Sequence, residues 1–163
     1  QNALLLYCLR RAGMACVQIL GRGRTEGHCW AMVWLNGEPV HCDVTWEKPG
    51  KGAMLYRYFN LTDEQISRDH SGFAGQGLPA CRTEAYSYYR LHGHSVCSLA
   101  ELTGHLRSGA AQGGMAYGQM QPPCTDAQMG RAIHEALRGL PGCWNIYHVA
   151  SLRAVALMRQ AGR

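Results

Sequence analysis

Two dipeptides, His28-Cys29 and His41-Cys42, stand on either side of an Asn36-Gly37 pair, and Asp43 follows the second of them. Histidine, cysteine and carboxylate side chains build both nucleophilic catalytic sites and zinc sites, so their relative placement decides the chemistry open to them. Asn-Gly between two strand-forming runs signals a two-residue hairpin turn. Counting outward from it sets Leu35 opposite Glu38, Val33 opposite Val40, Ala31 opposite Cys42, Trp30 opposite Asp43 and His28 opposite Thr45. Alternation then gives one face to Cys29, Ala31, Val33, Leu35, Val40, Cys42 and Val44, which reads as the core side. The other face takes His28, Trp30, Met32, His41, Asp43 and Thr45, with Asp43 diagonal to His28 across roughly 7 to 8 Å of backbone, a gap side chains can span.

A carboxylate on one ring nitrogen of a histidine fixes its tautomer and orients the ring, leaving the other nitrogen to work on a nucleophile. His28 and Asp43 are therefore two thirds of a nucleophilic triad, or else an ordinary cross-strand surface pair; the hairpin alone leaves both readings open. Zinc is disfavoured, because alternation sends the two cysteines to the face opposite the two histidines. No metal and no cofactor are expected. His92 and His94 also alternate, and read as part of a solvated loop.

The elements that must hold the hairpin are legible on both sides of it. Asn2 to about Ala12 reads as a helix ending at Gly13, a good left-handed terminator. Cys16–Leu20 reads as a short strand, Gly21–Gly27 as a Gly/Arg loop, and the hairpin strands as His28–Leu35 and Glu38–Trp46. A Gly/Pro/Lys loop is expected at Glu47–Gly52, an extended run at Leu55–Phe59, and a helix from the capping box Thr62-Asp63-Glu64-Gln65 to about His70. Further on, Ser98 opens a helix to Arg107, Gly113–Met120 reads as a strand, Thr125-Asp126-Ala127-Gln128 caps a helix to about Arg138, and Trp144–Met158 has room for one or two strands. Tyr56, Tyr58, Tyr86, Tyr88 and Tyr89 read as half-buried aromatics, and Asn60-Leu61-Thr62 as a weak glycosylation acceptor better explained as a helix cap.

With its neighbours, the hairpin resembles the transglutaminase-like superfamily. His28-Cys29-Trp30, then Leu35-Asn36-Gly37, then His41-Cys42-Asp43-Val44-Thr45-Trp46 is similar to that family's His and Asp segment. Leu9-Arg10-Arg11-Ala12-Gly13-Met14-Ala15-Cys16 resembles the end of its nucleophile helix, and Tyr58-Phe59-Asn60-Leu61-Thr62-Asp63-Glu64 to Asp69-His70 resembles a segment of its bacterial members. The likeness covers residues 1 to about 90 and fades beyond.

The resemblance implies an α+β, papain-like core at residues 1–90, with a helix on an antiparallel sheet, and a small α/β extension at 91–163. It implies cysteine-dependent acyl transfer at amide or peptide bonds, by a peptidase, deamidase or cross-linking enzyme. His28 would be the catalytic histidine, Asp43 its orienting carboxylate and Trp30 a wall of the substrate site. The family's nucleophile is a cysteine at the start of the helix that ends at Gly13, which falls a few residues before Gln1. The amino end of that helix should then point at His28, and the chain as written is expected to be inactive. None of the internal cysteines suits the role: Cys8 sits mid-helix in an apolar run, where its thiol is expected to be buried, Cys29 and Cys42 face the core, and Cys16, Cys81, Cys97, Cys124 and Cys143 lack the setting of a nucleophile. The alternative is a degenerate domain that binds peptide or cell-surface material without catalysis.

Composition limits the remaining classes. With 163 residues, 47% of them hydrophobic and 17% charged, the chain can build a real core and is too apolar for disorder. Apolar runs such as Ala3–Leu9 are far shorter than the ~20 residues of a membrane span, so none is expected. The net charge of +5 comes from 16 Lys and Arg, of which only Lys48 and Lys51 are lysine. Its one basic cluster, Arg10, Arg11, Arg22 and Arg24, lacks interleaved aromatics, so no nucleic-acid partner is expected. The expected partner is a protein or peptide substrate.

Overall fold

A computed structural model describes residues 1–48 and 53–160. The protein is mixed α+β and divides into two compact units, Gln1–Gly50 with Tyr56–Tyr88, and Lys51–Leu55 with Tyr89–Arg163. The Glu47–Gly52 loop expected from the sequence falls largely outside the described residues. None of the helices among the described residues is long and apolar enough to cross a membrane.

The first unit opens with helix α1 (Asn2–Arg11). Its carboxyl end is closed by Gly13 at φ 76°, with Gly13 N–H donating to the Arg10 carbonyl and Met14 N–H to the Leu9 carbonyl. This paired closure requires a left-handed residue, which glycine supplies without a steric penalty. An antiparallel sheet follows in the order β3-β2-β1-β4, formed by β1 (Cys16–Gly23), β2 (Glu26–Leu35), β3 (Glu38–Cys42) and β4 (His70–Ser71). The Asn36-Gly37 turn has both residues at positive φ, and the pairs Leu35/Glu38, Val33/Val40 and Ala31/Cys42 match the register expected from it.

Several boundaries differ from the sequence reading, each for a physical reason. The Gly/Arg stretch is no loop: β1 continues to Gly23 and turns at once into β2, pairing Gly21 with His28 and Gly23 with Glu26. Glycines that suggest a loop are here because rings lie on the strand. A Cβ on Gly21 would stand 2.4 Å from the Ser71 carbonyl oxygen and 2.7 Å from the Trp30 ring, and one on Gly23 would stand 2.5 Å from Trp46. Strand β3 stops at Cys42 because the Asp43 side chain folds the next residues into a turn, accepting from Thr45 N–H at 2.9 Å. Leu55–Phe59 is not a strand; Tyr56 and the following Asn60 take positive φ, and Asp43 N–H donates to the Tyr58 carbonyl without a ladder forming. The capping box at Thr62 forms as expected, but its helix α2 (Asp63–Ile66) ends early, and His70 becomes a strand residue paired with Gly23.

Both faces of the hairpin are buried, whereas the alternation predicts a core on one face only. On one side Ala31, Val33, Val40 and Cys42 pack against Leu6 of α1. On the other, Trp30 and Met32 pack with Ile19 and Cys81, beneath Phe73 and Leu78.

The second unit holds α4 (Leu99–Ala111) and α5 (Asp126–Leu137) against a sheet ordered β5-β6-β8-β7, from β5 (Ser95–Val96), β6 (Met115–Met120), β7 (Trp144–Val149) and β8 (Ala154–Arg159). A short helix, α3 (Tyr88–Leu91), lies where the chain passes between the units. Side-chain caps at Ser98 and Thr125 begin α4 and α5 as the sequence predicts, and Leu102, Leu106, Met129, Ile133, Val155 and Leu157 form the core. The strands expected in the 113–120 and 144–158 stretches are present.

The ring contacts on β1 give a stability prediction. Gly21→Ala should cost about 1 to 3 kcal/mol by overpacking. Gly27→Ala, where a Cβ meets nothing within 4 Å, should stay within about 0.5 kcal/mol. Urea midpoints of the two variants measure this; equal losses would show that the Trp30 ring does not press on β1.

Candidate functional site

The site is assembled around the carboxylate of Asp43, which is fully buried. His28, on β2, brings its Nε2 to 2.6 Å from Asp43 Oδ2 and keeps 15% of its side-chain surface exposed. The imidazole and carboxylate that the hairpin register places on one face are thus hydrogen-bonded. With Nε2–H given to Asp43, Nδ1 of His28 is the nitrogen left to take or give a proton.

The other contacts of Asp43 come from elements that the hairpin register does not include. Asn2, the first residue of α1 and 2% exposed, donates from Nδ2 to Asp43 Oδ1 at 2.8 Å, to the Cys29 carbonyl at 2.7 Å and to Thr45 Oγ1 at 2.9 Å. Its Oδ1 accepts from Val44 N–H at 3.1 Å. The amino end of α1 therefore opens onto the His28–Asp43 pair. From β4, fully buried His70 sets its Nε2 3.0 Å from Asp43 Oδ2 and its Nδ1 2.6 Å from Asp69 Oδ1. Tyr58 donates its hydroxyl to Asp69 Oδ2 at 2.5 Å.

Burial alone would raise the pKa of Asp43, but the bonds from His70, Asn2, His28 and Thr45 N–H outweigh it and hold the carboxyl at about 2. His70 shows the same contest. Burial works against its charge, the two carboxylates work for it, and the balance lies above the usual histidine value.

Aromatic rings enclose the pair. Trp30 is stacked at 18° beneath His28 with centroids 6.1 Å apart and meets His70 edge-on at 4.8 Å. Trp46 lies 5.3 Å from His28 and 4.5 Å from His70, and the Arg24 guanidinium sits 5.3 Å over it. Trp30 is fully buried, with its ring under that of His28.

Among the described residues, two groups of side chains are close enough to share a metal ion: His28 with Asp43 and His70, and His41 with Asp63 and Cys81. In the second, His41 Nδ1 accepts from Trp30 Nε1–H at 3.0 Å, so the ring proton is on Nε2, where it meets Asp63 at 2.8 Å. No lone pair of His41 is left for a metal. Burial also lowers the His41 pKa despite Asp63. In the first group, both histidine Nε2 atoms donate to one carboxylate oxygen, and that oxygen's partner on the same carboxyl is held by Asn2 and Thr45.

The cysteines fall in several settings. Cys42, in the core opposite the His28 face, is pushed up to about 11 mainly by burial, and Cys81 to about 12 by burial and Asp63. Both are thiols at neutral pH. Cys8, expected to be buried, is exposed instead. Asn60 is 5% exposed and bonds the Tyr86 carbonyl, which leaves it unsuited to glycosylation.

The sequence reading missed Asn2, His70, Asp69, Tyr58 and Trp46 as members of the site. Asp69-His70 and Trp46 lay within the quoted segments, so their signal was present; Asn2 looked like one more helix residue. No family profile matches the chain, and no curated protein matches it significantly.

The lowered Asp43 pKa makes a pH prediction. A carboxylate whose folded value lies below its unfolded 3.8 stabilises the fold above that value and loses this contribution as pH falls toward about 2. The loss should come to about 2 kcal/mol, in an acid-side slope that Asp43→Asn abolishes. Urea midpoints taken from mildly acidic pH downward test it; equal slopes in the two proteins would mean that Asp43 gains nothing from its donors.

Proposed function

We propose that this chain carries the histidine and carboxylate of a papain-like, transglutaminase-like cysteine acyltransferase or peptidase. The observation that carries the reading is the His28 Nε2 to Asp43 Oδ2 bond at 2.6 Å, with the amino end of α1 held against the same carboxylate by Asn2. A thiol presented at the start of α1, from residues preceding Gln1, would meet Nδ1 of His28. Helix amino ends favour thiolates, and a histidine at hydrogen-bond reach takes the proton.

The reaction follows from that arrangement. His28 Nδ1 accepts the thiol proton, and the sulfur attacks the carbonyl carbon of an amide. The C–N bond breaks as His28 returns the proton to the leaving amine, giving a thioester. Water or a second amine, deprotonated by His28, then attacks the thioester; the C–S bond breaks and the thiol is restored. Hydrolysis, deamidation and cross-linking differ only in leaving group and acceptor. Asp43 holds the ring throughout and stabilises the imidazolium.

The test compares the 163-residue chain with one extended upstream, on peptide amide and glutamine-donor substrates, with iodoacetamide labelling mapped to the modified thiol. The extended chain should turn over and lose activity on alkylation of a cysteine before Gln1. His28→Ala in it should lower turnover by about 10³-fold or more while shifting the urea midpoint little. An extended chain with no cysteine there, and no turnover, would leave the binding-module reading. Turnover by the shorter chain, abolished by alkylating an internal thiol, would overturn the placement of the nucleophile.

A further inference from the structure

His70 is a buried titratable side chain that the proposed reaction does not use, and its surroundings are unusual. Asp69 Oδ1 lies 2.6 Å from Nδ1, and Asp43 Oδ2 lies 3.0 Å from Nε2. A neutral imidazole has one N–H and one lone pair. Whichever nitrogen lacked the proton would point its lone pair at a carboxylate oxygen, in a buried place where that repulsion is undiluted. Only the imidazolium gives each carboxylate a donor.

We propose that His70 is a positioning residue, held as a buried imidazolium between Asp69 and Asp43, which locks Asp43 Oδ2 in the orientation that receives His28. The proposal rests on the acyl-transfer reading for its consequence in turnover, but not for its geometry.

The charges explain why the device orients the pair without strengthening its field. Asp69, His70 and Asp43 together carry one negative charge, the same as a lone aspartate. What changes is freedom. Asp43 Oδ1 is fixed by Asn2 and Thr45 N–H, and Oδ2 by His70, so the carboxylate cannot swing away when the His28 ring turns. Tyr58 fixes the far end by donating to Asp69 Oδ2, and Arg24 N–H donates to the Asp69 carbonyl at 2.6 Å. The other groups facing His70 are His28, at 5.4 Å between centroids, the rings of Trp30, Trp46 and Tyr58, and His41, whose neutral state adds no charge.

Nuclear magnetic resonance of the histidine-labelled 163-residue chain tests this without any turnover. At neutral pH both ring nitrogens of His70 should carry protons, and the second should be lost only above the ordinary histidine value. Asp69→Asn, whose side-chain oxygen can still accept from Nδ1–H, should keep the fold and move that loss to lower pH. His70→Gln should shift or broaden the His28 Nε2–H resonance while the backbone spectrum stays dispersed. A bare nitrogen on His70 at neutral pH overturns the proposal, as does a His28 resonance that ignores His70→Gln in a folded protein. If that variant does not fold, the Asp69→Asn titration decides alone: an unmoved His70 titration overturns the proposal. In the extended chain, His70→Gln should lower kcat about tenfold or more with KM nearly unchanged, part of the ~10² to 10⁴ that positioned acid–base groups supply. If the resonances behave as described and the extended chain has no activity, the reaction reading falls and the imidazolium stands.

Discussion

The interaction on which the rest of the first unit depends is the solvation of one carboxylate. Asp43 has no exposed surface, and an ionised carboxyl taken out of water costs several kcal/mol unless other donors replace the water. Here the donors come from four places in the chain: the start of α1, strand β2, the turn after β3, and β4. Each is held by its own backbone bonds, so satisfying Asp43 and bringing these elements together are one event. Misplacing any of them leaves a buried charge short of a donor, which is a strong selector of register and of helix placement.

That requirement explains the packing around the site. Two tryptophans and three histidines occupy a small volume, and β1 makes room for them by carrying glycine where the rings press closest. The same ring wall lowers the local polarity, which strengthens the hydrogen bonds inside it. The geometry of the site and core packing are therefore not separable here. Trp30 belongs to both, since its ring lies under His28 while its N–H fixes the state of His41.

Local signals in the sequence were reliable where the cause of structure is local. The Asn36-Gly37 turn set the register from Leu35/Glu38 to Ala31/Cys42, Gly13 ended α1, and Thr62 and Thr125 capped their helices, because each depends on a few neighbouring residues. His28 and Asp43 were legible for the same reason, being diagonal partners in one hairpin. The misreadings have distant causes. Gly21 and Gly23 are strand residues because of rings and a carbonyl from elsewhere in the chain, and His70 leaves the expected helix to pair with β1. Asn2 is invisible as a site residue, because nothing in an apolar helix start says that its amide will meet a carboxylate 41 positions later.

Three histidines crowd this site, and hydrogen bonding gives them different chemistry. His41 has one nitrogen taken by Trp30 and the other by Asp63, so its proton is fixed and its lone pair spent. His70 has a carboxylate on each nitrogen, so it has no lone pair to offer. His28 is held through Nε2 alone among the described residues, and it is the one with exposed side-chain surface. A proton can enter or leave at its Nδ1 without breaking any bond that supports the fold. Of three chemically identical rings, one therefore keeps a nitrogen that supports no part of the fold, and the other two hold the ground around it.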